Sequence, residues 1–324
     1  MKKTWYIYPI IFLVLCIAVF RFKPAQKMTE TKTVPQSTPA IIIDQSVAKF
    51  YYMLPDEIDF CGEHLVLTEY MKMMLAKTIA DEFKNYKPDT VYKLADDNLW
   101  FTYINKEPKN SDFPDDLRYI PIIESSLNVE ADSKKAVGPL QFTEDTARKY
   151  GLRVEPQNNY DERYDFILAI GAAKKYLKKL HNEFKNWSAA LAGYNTGENN
   201  LQKALNRENI ANFDFYRLTT ISPETRKFPF RVLAAKIIFT NPKIYDPPLT
   251  TIWTNLTRFN EFSITPIKLE LINRSTIPRI VEILKEDYPN LDYASFTQYN
   301  PQIRGELPPG TYRVYIIENE NGTF

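Results

Sequence analysis

One glutamate, Glu124, stands in a sequence context that suits acid–base chemistry. It directly follows the apolar run Ile120-Pro-Ile-Ile123 and precedes two serines. A carboxyl group at the end of an apolar helix can be withdrawn from water, which raises its pKa and lets it hold a proton near neutral pH. That state suits a general acid. A solvated glutamate at a helix end is the alternative interpretation of the same pattern.

Two later motifs carry amide and hydroxyl groups. The segment Gly138-Pro-Leu-Gln141 is a glycine turn followed by an amide side chain, and Ala192-Gly-Tyr-Asn195-Thr-Gly197 closes an apolar helix with a Tyr-Asn pair. Taken alone, the first is an ordinary loop and the second a helix that ends at a left-handed glycine. Whether these two motifs contribute to a functional site depends on the other motifs in the sequence.

The composition excludes several other kinds of chemistry. Lys and Arg total 41 against 40 Asp and Glu, so the net charge of +1 argues against nucleic acid as a partner. The 324 residues include only two His and two Cys, without HExxH or paired CxxC spacing, and no phosphate-loop motif. We therefore expect no metal and no cofactor. Carboxylates, hydroxyls and amides remain, and 21 tyrosines suit a groove that binds sugars.

Residues 1–22 are predicted to be a signal peptide or a signal anchor. Lys2 and Lys3 precede an apolar stretch from Trp5 to Phe20, and no A-x-A cleavage site follows, which favours an uncleaved anchor. Cys16 follows a large leucine, which is a poor context for lipidation. Residues 23–46 are polar and predict a flexible linker. We expect a cell-envelope protein, periplasmic and attached to the inner membrane.

Residues 47–250 are predicted to form a mainly α domain with a hydrophobic core. Apolar side chains recur at helical spacing, and Pro121 is expected to bend its helix. Another helix is expected to open at Asp161 or at Tyr164-Asp165. Cys61 is interpreted as a buried thiol without a disulfide. The periodic segments are 65–83, 117–123, 167–180, 186–197 and 232–239.

Residues 262–318 predict a small α+β module. Ser263 to Leu271 alternates like a strand, two short helices follow, and Pro308-Pro309-Gly310 turns into a second alternating strand at Tyr312 to Ile317. The order strand, helix, helix, strand differs from the helical body.

Taken together and in order, these motifs resemble the lytic murein transglycosylases, the SLT-domain family of glycoside hydrolase family 23 type, and in particular its membrane-bound D type. The resemblance covers roughly residues 50–250. The tail, with Tyr299-Asn-Pro301, resembles a degenerate LysM repeat. The matching segments are Tyr119–Asn128, Ala131–Ser133, Ala136–Phe142, Asp161–Arg163, Ala172–Leu177, Trp187–Glu198, Glu224–Arg226 and Val232–Tyr245.

The resemblance implies a lysozyme-like fold with one catalytic acid, Glu124. In this family the acid protonates the β-1,4 glycosidic oxygen between N-acetylmuramic acid and N-acetylglucosamine, then deprotonates the muramyl 6-hydroxyl, giving a 1,6-anhydro product. No second carboxylate is required, an exception to the usual pair. Ser133 matches the serine that orients reacting groups, Gln141 the amide near the acid, and Tyr194 and Asn195 the pair that contacts the N-acetyl sugar.

Alternatives remain open. A goose-type-lysozyme-like muramidase shares the acid and the fold, and a catalytically weak peptidoglycan-binding protein is a third reading. Phe228 stands where the family often has tyrosine, either facing the site or absorbed into the core. The expected partners are peptidoglycan glycan strands, with no nucleic acid, and the protein is expected to be a monomer. Removal of the LysM-like tail is expected to weaken wall binding but not turnover.

Overall fold

The computed structural model describes residues 44–85, 113–209, 220–240 and 262–319, all within one compact unit. The predicted signal peptide or anchor at 1–22 and nearly all of the predicted linker at 23–46 lie outside the described residues. Within the described ranges, no helix is both long enough and apolar enough to cross a membrane.

The described part is mainly helical, as predicted, with three two-stranded antiparallel sheets. The helices are α1 Gln45–Met53, α2 Glu69–Asn85, α3 Ile120–Ser125, α4 Glu144–Lys149, α5 Phe166–Phe184, α6 Trp187–Thr196, α7 Glu198–Arg207, α8 Pro223–Thr240, α9 Ile277–Leu284 and α10 Tyr293–Tyr299. The strands are β1 Glu57–Phe60, β2 Glu63–Val66, β3 Val154–Glu155, β4 Tyr160–Asp161, β5 Phe262–Leu271 and β6 Gly310–Asn319. Single 3₁₀ turns lie at Asp115–Tyr119 and Pro156–Asn158.

Local capping signals explain where the two central helices begin and end. The backbone N–H of Leu168 donates to the Asp165 carboxylate, which makes Asp165, rather than Asp161, the cap of α5. Asn186 caps α6 in the same way, accepting from Ala189 N at 2.7 Å. Helix α6 then ends at Gly197, whose φ is 86°. These caps fix the two helices that pack together in the centre of the body.

One predicted helix begins later than expected. The pattern over residues 65–83 predicts a continuous helix, but Glu63–Val66 is β2, paired with β1, and α2 begins only at Glu69. The hairpin turns at Cys61 and Gly62, which both have positive φ. Cys61 is a buried free thiol, as expected. Four-residue strands are too short for their alternation to outweigh a helical pattern.

The role expected for Pro121 is also wrong. It lies in the first turn of α3, where its missing N–H breaks no hydrogen bond, and it does not bend a longer helix. The preceding turn, Asp115–Tyr119, is a separate 3₁₀ segment. Helix α3 is therefore a short helix whose end is set by Ser126 in the left-handed conformation.

The main hydrophobic core joins α2, α3, α5, α6 and α8. Helix α8 packs against both α2 and α6, and α3 lies against α8. The apolar residues that precede Glu124 are all buried in this core: Ile120, Pro121, Ile122 and Ile123. The end of α3 is consequently held from several sides, which fixes the position of Glu124 at the margin of the core.

The tail has the predicted order of elements. Strands β5 and β6 pair antiparallel from Phe262↔Asn319 to Leu271↔Gly310, and α9 and α10 connect them. A second hydrophobic core lies between this sheet and the helices, with Ile280, Val314 and Ile316 fully buried. The tail is thus a small folded α+β module with apolar packing of its own.

The tail and the body share packing at the β3–β4 hairpin. Tyr160 of β4 belongs to the hydrophobic core of the tail and forms a β-bridge with Ile303. Asp161 N donates to Gln302 O at 3.0 Å, and Arg304 N donates to Asn159 O at 2.8 Å. Because Tyr160 of the body completes the tail's hydrophobic core, the body and the tail are in direct contact.

Candidate active site

Glu124 lies at the end of α3, partly buried, where the main core meets an open cleft. Among the described residues, none donates a hydrogen bond to its carboxylate. Burial raises the pKa of Glu124 to about 8; the positive charge of Arg231 opposes this rise, and the negative charge of Glu224 adds to it. At neutral pH the group therefore carries a proton that it can donate.

The loop from Ala136 to Phe142 forms the wall of the cleft next to α3. Ser125 Oγ donates to Pro139 O at 3.0 Å, which ties the loop to the helix of Glu124. Gln141 has a φ of 48°, and its Nε2 donates to Gly138 O at 2.9 Å, so its amide is held in one orientation. Backbone strain of this kind persists only where the surrounding structure holds it.

Gly138 lets the loop approach the body closely. Its φ is 78°, and a Cβ at this position would lie 1.9 Å from the carbonyl oxygen of Arg163. Any side chain here would push the loop, and Gln141 with it, away from the body.

A buried ion pair supports this loop from beneath. The Arg163 guanidinium binds both carboxylate oxygens of Asp161, at 2.7 Å for the shortest contact, and donates to Phe142 O at 3.3 Å. Both side chains are almost fully buried. The sequence motif Asp161-Glu-Arg163 thus acts as a structural brace, a role that its spacing alone did not reveal.

Tyr194 and Asn195 project from the last turn of α6 into the opposite wall. The Tyr194 hydroxyl donates to Leu140 O at 2.8 Å, joining this helix to the glutamine loop. Burial and the nearby charge of Glu124 raise the pKa of Tyr194. Asn195 Oδ1 accepts a hydrogen bond from Thr225 Oγ1 at 2.8 Å, which fixes its amide. With Oδ1 occupied, the N–H donors of this amide are the groups oriented for a ligand.

Phe228 lies behind this wall rather than in it. Its side chain is only 1% exposed, and its ring stacks on Tyr194 with centroids 6.4 Å apart. Of the two placements considered from the sequence, the structure shows the core placement. Phe228 therefore acts on the cleft through the position of the Tyr194 ring.

The structure brings all five predicted site residues to one cleft of about 650 Å³. Ser133 is exposed at its rim, where its hydroxyl donates to Ala136 O at 3.0 Å. This volume lies in the range of sites for small molecules and sugar units. The cleft is lined by Ile123, Glu124, Ser133, Ala136, Gln141, Phe142, Thr143, Thr146, Tyr176, Tyr194, Asn195, Thr196, Gly197, Glu224 and Arg231.

Three of the cleft residues with functional groups were missed by sequence reasoning: Tyr176, Glu224 and Arg231. Glu224 belongs to a matched motif, yet nothing in its spacing from Glu124 indicates that the two acids share a cleft. Arg231 gives a weak signal, because a charged side chain stands between the apolar residues Phe230 and Val232. Among the described residues, no group of His, Cys, Asp and Glu has the arrangement of a metal site.

Comparison with known proteins agrees with the resemblance found in the motifs. Residues 101–215 match the family described as the transglycosylase SLT domain. The chain is 31% identical to membrane-bound lytic murein transglycosylase D of Escherichia coli (strain K12) over 172 residues, which is 52% of this chain and 37% of the relative. It is 34% identical over 134 residues to a putative tributyltin chloride resistance protein of Alteromonas sp. (strain M-1), covering 40% of this chain and 64% of the relative.

The chain therefore carries an SLT transglycosylase domain and spans well under half the length of the lytic transglycosylase it matches. The matched range includes the five predicted site residues Glu124, Ser133, Gln141, Tyr194 and Asn195. Helix α2 and helix α8, which complete the cleft and its support, lie outside that range.

Proposed function

We propose that this protein is a peptidoglycan lytic transglycosylase that cleaves the β-1,4 bond between N-acetylmuramic acid and N-acetylglucosamine with formation of 1,6-anhydromuramic acid. The observation that carries the proposal is Glu124: an acid protonated at neutral pH, facing an open cleft inside the matched SLT domain. The similarity to a lytic murein transglycosylase gives the substrate class.

Glu124 would serve as both acid and base. In the first step its proton passes to the glycosidic oxygen as the bond from that oxygen to muramyl C1 breaks, and N-acetylglucosamine leaves as an alcohol. In the second step the Glu124 carboxylate takes the proton of the muramyl 6-hydroxyl while that oxygen bonds to C1. The acid is regenerated and no water is consumed. A pKa near 8 suits this double use, because both protonation states are accessible near neutral pH.

The other predicted residues would bind the sugars. The fixed amide of Asn195 presents N–H donors, and the held amide of Gln141 lies on the same wall as Glu124. The rings of Tyr194 and Tyr176, 5.5 Å apart, give the cleft an aromatic face of the type that packs on sugars. Ser133 would contact the glycan strand at the rim of the cleft.

One observation favours a second candidate, a muramidase that hydrolyses the same bond. Glu224 lies in the cleft with Glu124, although the sequence indicated no second acid there. Enzymes that hydrolyse glycosidic bonds usually have two carboxyl groups across the cleft. One protonates the leaving oxygen and, in inverting enzymes, the other activates water. In this alternative Glu224 would be that base.

Location and wall binding belong to the same proposal. The Escherichia coli relative is a membrane-bound lytic murein transglycosylase, and residues 1–22 have the pattern of a signal peptide or signal anchor. Both observations support a periplasmic enzyme attached to the inner membrane. The tail at 262–318 would act as a LysM-like contact to peptidoglycan. Glycan strands are the proposed partner, with a monomeric enzyme and no cofactor.

Product analysis tests the proposal. Purified full-length protein is incubated with peptidoglycan sacculi, and the released muropeptides are analysed by mass spectrometry before and after borohydride reduction. Anhydro products, one water lighter and resistant to reduction, support the transglycosylase. Reducible ends that disappear in Glu224→Gln support the muramidase. Binding to sacculi without any release, in a folded protein, would leave the weak peptidoglycan-binding protein as the function.

A further inference from the structure

The support of Glu124 includes a buried ion pair outside the matched domain. Arg231 of α8 donates through Nε to Glu82 Oε1 at 2.5 Å and through Nη2 to Glu82 Oε2 at 3.4 Å. The Glu82 side chain on α2 is 8% exposed. Residues 149 positions apart in the chain thus meet at the wall of the cleft.

The same arginine reaches the peptide unit that carries Glu124. Arg231 Nη2 donates to Ile123 O at 3.3 Å, and Arg231 itself lines the cleft. A guanidinium presents its donors in a rigid planar fork, so fixing one edge on a carboxylate orients the other edge. Glu82 therefore determines where the positive charge of Arg231 stands relative to Glu124.

Among the described residues, the charged and titratable groups around Glu124 lie on three helices. Arg231 and Glu224 lie on α8, Tyr194 on α6, and Glu82 on α2 behind Arg231. Arg231 favours the ionised form of Glu124, and Glu224 favours the protonated form. The negative charge of Glu82 offsets part of the field of Arg231. Without it, the positive charge of Arg231 would favour the ionised form of Glu124 more strongly.

We propose that Glu82 is a positioning residue for the Glu124 reaction: by holding and partly neutralising Arg231, it keeps Glu124 protonated enough to act as an acid. The inference rests on the proposed function for its catalytic meaning, yet its electrostatic content can be measured without any turnover. It assigns a role in the active site to α2, a helix that lies outside the SLT match.

The first test is Glu82→Gln in the full-length protein, which keeps the shape of the side chain and one acceptor oxygen and removes its charge. The expected result is a shift of the alkaline limb of the pH–kcat profile to lower pH, on the order of one pH unit. The pKa of Glu124 is measured in parallel by NMR titration of isotope-labelled glutamate carboxyl groups, assigned by the signal lost in Glu124→Gln. It should fall by the same amount.

A second variant keeps the test valid if loss of the Glu82–Arg231 ion pair prevents folding. Glu82→Met/Arg231→Met replaces both charges with apolar side chains, a change that buried ion pairs often tolerate. Removing the positive charge should move the Glu124 titration and the alkaline limb to higher pH, opposite to the single variant. Two opposite displacements are not what a general loss of stability produces.

The matched control is Lys236→Gln, which breaks another ion pair of the same helix. Lys236 pairs with Asp116 at 2.8 Å, against the 3₁₀ turn and away from the cleft lining. It should lower the melting temperature without moving the Glu124 titration. Unmoved titrations in both Glu82 variants, or equal displacement in the control, overturn the inference. A displaced titration in a protein that releases no muropeptides would instead refute the proposed function and leave the electrostatic inference standing.

Discussion

Among the described residues of the body, two carboxyl groups have a pKa raised to neutral pH or above, and their surroundings differ. Burial raises the pKa of Glu124 to about 8 and that of Asp165 to about 7. Glu124 faces an open cleft and accepts no hydrogen bond from the described residues. Asp165 is 2% exposed, caps α5 through Leu168 N at 3.0 Å, and meets the Tyr315 hydroxyl of the tail at 3.3 Å.

The contrast shows that a raised pKa does not identify a catalytic acid by itself. Both groups owe the shift first to removal from water. What separates them is access, because a substrate oxygen can approach the carboxyl of Glu124 but not that of Asp165. Under the proposed function, burial of Glu124 in the cleft serves catalysis, whereas burial of Asp165 at the contact between body and tail serves structure. Four predictions test this division.

The largest effect is expected when the tail contact is removed. A chain that ends before Phe262 loses the partner of Tyr160, exposes Asp165 and opens the β3–β4 hairpin beside the brace of the glutamine loop. Burial of apolar and hydrogen-bonded surface is lost at once, so we expect a body that unfolds at much lower temperature and loses turnover. Circular dichroism melting and turnover of soluble glycans measure both.

This expectation replaces the one drawn from the sequence, that turnover survives removal of the tail. The control is Ile272→Ser, at a tail position that is 88% exposed. A truncated protein with the melting temperature and turnover of the intact chain would show that the tail contact contributes nothing to the body.

The next effect is specific to the cleft. Glu124→Gln keeps the shape of the side chain but removes its transferable proton, so turnover should fall by about 100-fold to 10,000-fold. Relative to the wild type, stability should not fall, and it should rise as pH increases from 4.5 to about 8, because over that range the glutamate ionises in the unfolded chain while the folded protein still holds the proton. Muropeptide release and thermal melting at pH 6 and pH 9 test both parts. Glu130→Gln, at an exposed position, is the control.

A smaller effect is expected at the contact between body and tail. The pKa of Asp165 is higher in the folded state than in the unfolded chain, so its contribution to stability is full below about pH 4 and is lost as pH rises through about 7. The loss is on the order of 1–4 kcal/mol in the free energy of unfolding. Asp165→Asn should flatten this slope while keeping the helix cap, with turnover at fixed pH unchanged.

Urea unfolding at a series of pH values between 4 and 8 measures the slope. Asp145→Asn, an exposed acid in the first turn of α4, provides the comparison and should leave the slope in place. A variant at Asp165 with the wild-type slope would mean that the carboxyl does not hold its proton in the folded protein.

The smallest effect concerns the wall between the cleft and the core. Phe228→Tyr adds a hydroxyl at a position that is 1% exposed, where an unpartnered polar group costs roughly 1–3 kcal/mol. The melting temperature should fall and turnover should not increase. Phe113→Tyr, at a partly exposed ring, should be neutral. A gain in turnover with unchanged melting would place residue 228 in the cleft after all.

The sequence predicted those structural features that depend on residues close together in the chain. The caps at Asp165 and Asn186 and the terminating Gly197 are local signals, and the helices they delimit were predicted. The grouping of five residues around one cleft followed from motif resemblance, because such a resemblance carries three-dimensional information that a single sequence lacks. The β1–β2 hairpin was missed, since each of its strands has only four residues.

Contacts between distant segments left no comparable signal. Glu82 and Arg231 are 149 residues apart, and Asp165 and Tyr315 are 150 apart. Neither pair produces a periodicity or a motif. The tail was expected to be a separate module because its order of strand, helix, helix and strand differs from the helical body. Nothing near Tyr160 in the sequence indicates that this side chain completes the tail's core. Long-range packing decided these points.

The β3–β4 hairpin also has a consequence for how the protein is made. Its partners, Gln302 to Thr311, leave the ribosome roughly 150 residues after it does. Until then the hydrophobic core that buries Tyr160 is absent, and the Asp161–Arg163 ion pair beneath the Gln141 loop is not yet covered by the tail. Contacts of such long sequence separation form late in folding. The cleft is therefore finished only when the last strand of the tail is in place. Under the proposed function, the enzyme gains its activity only after that strand has been synthesised.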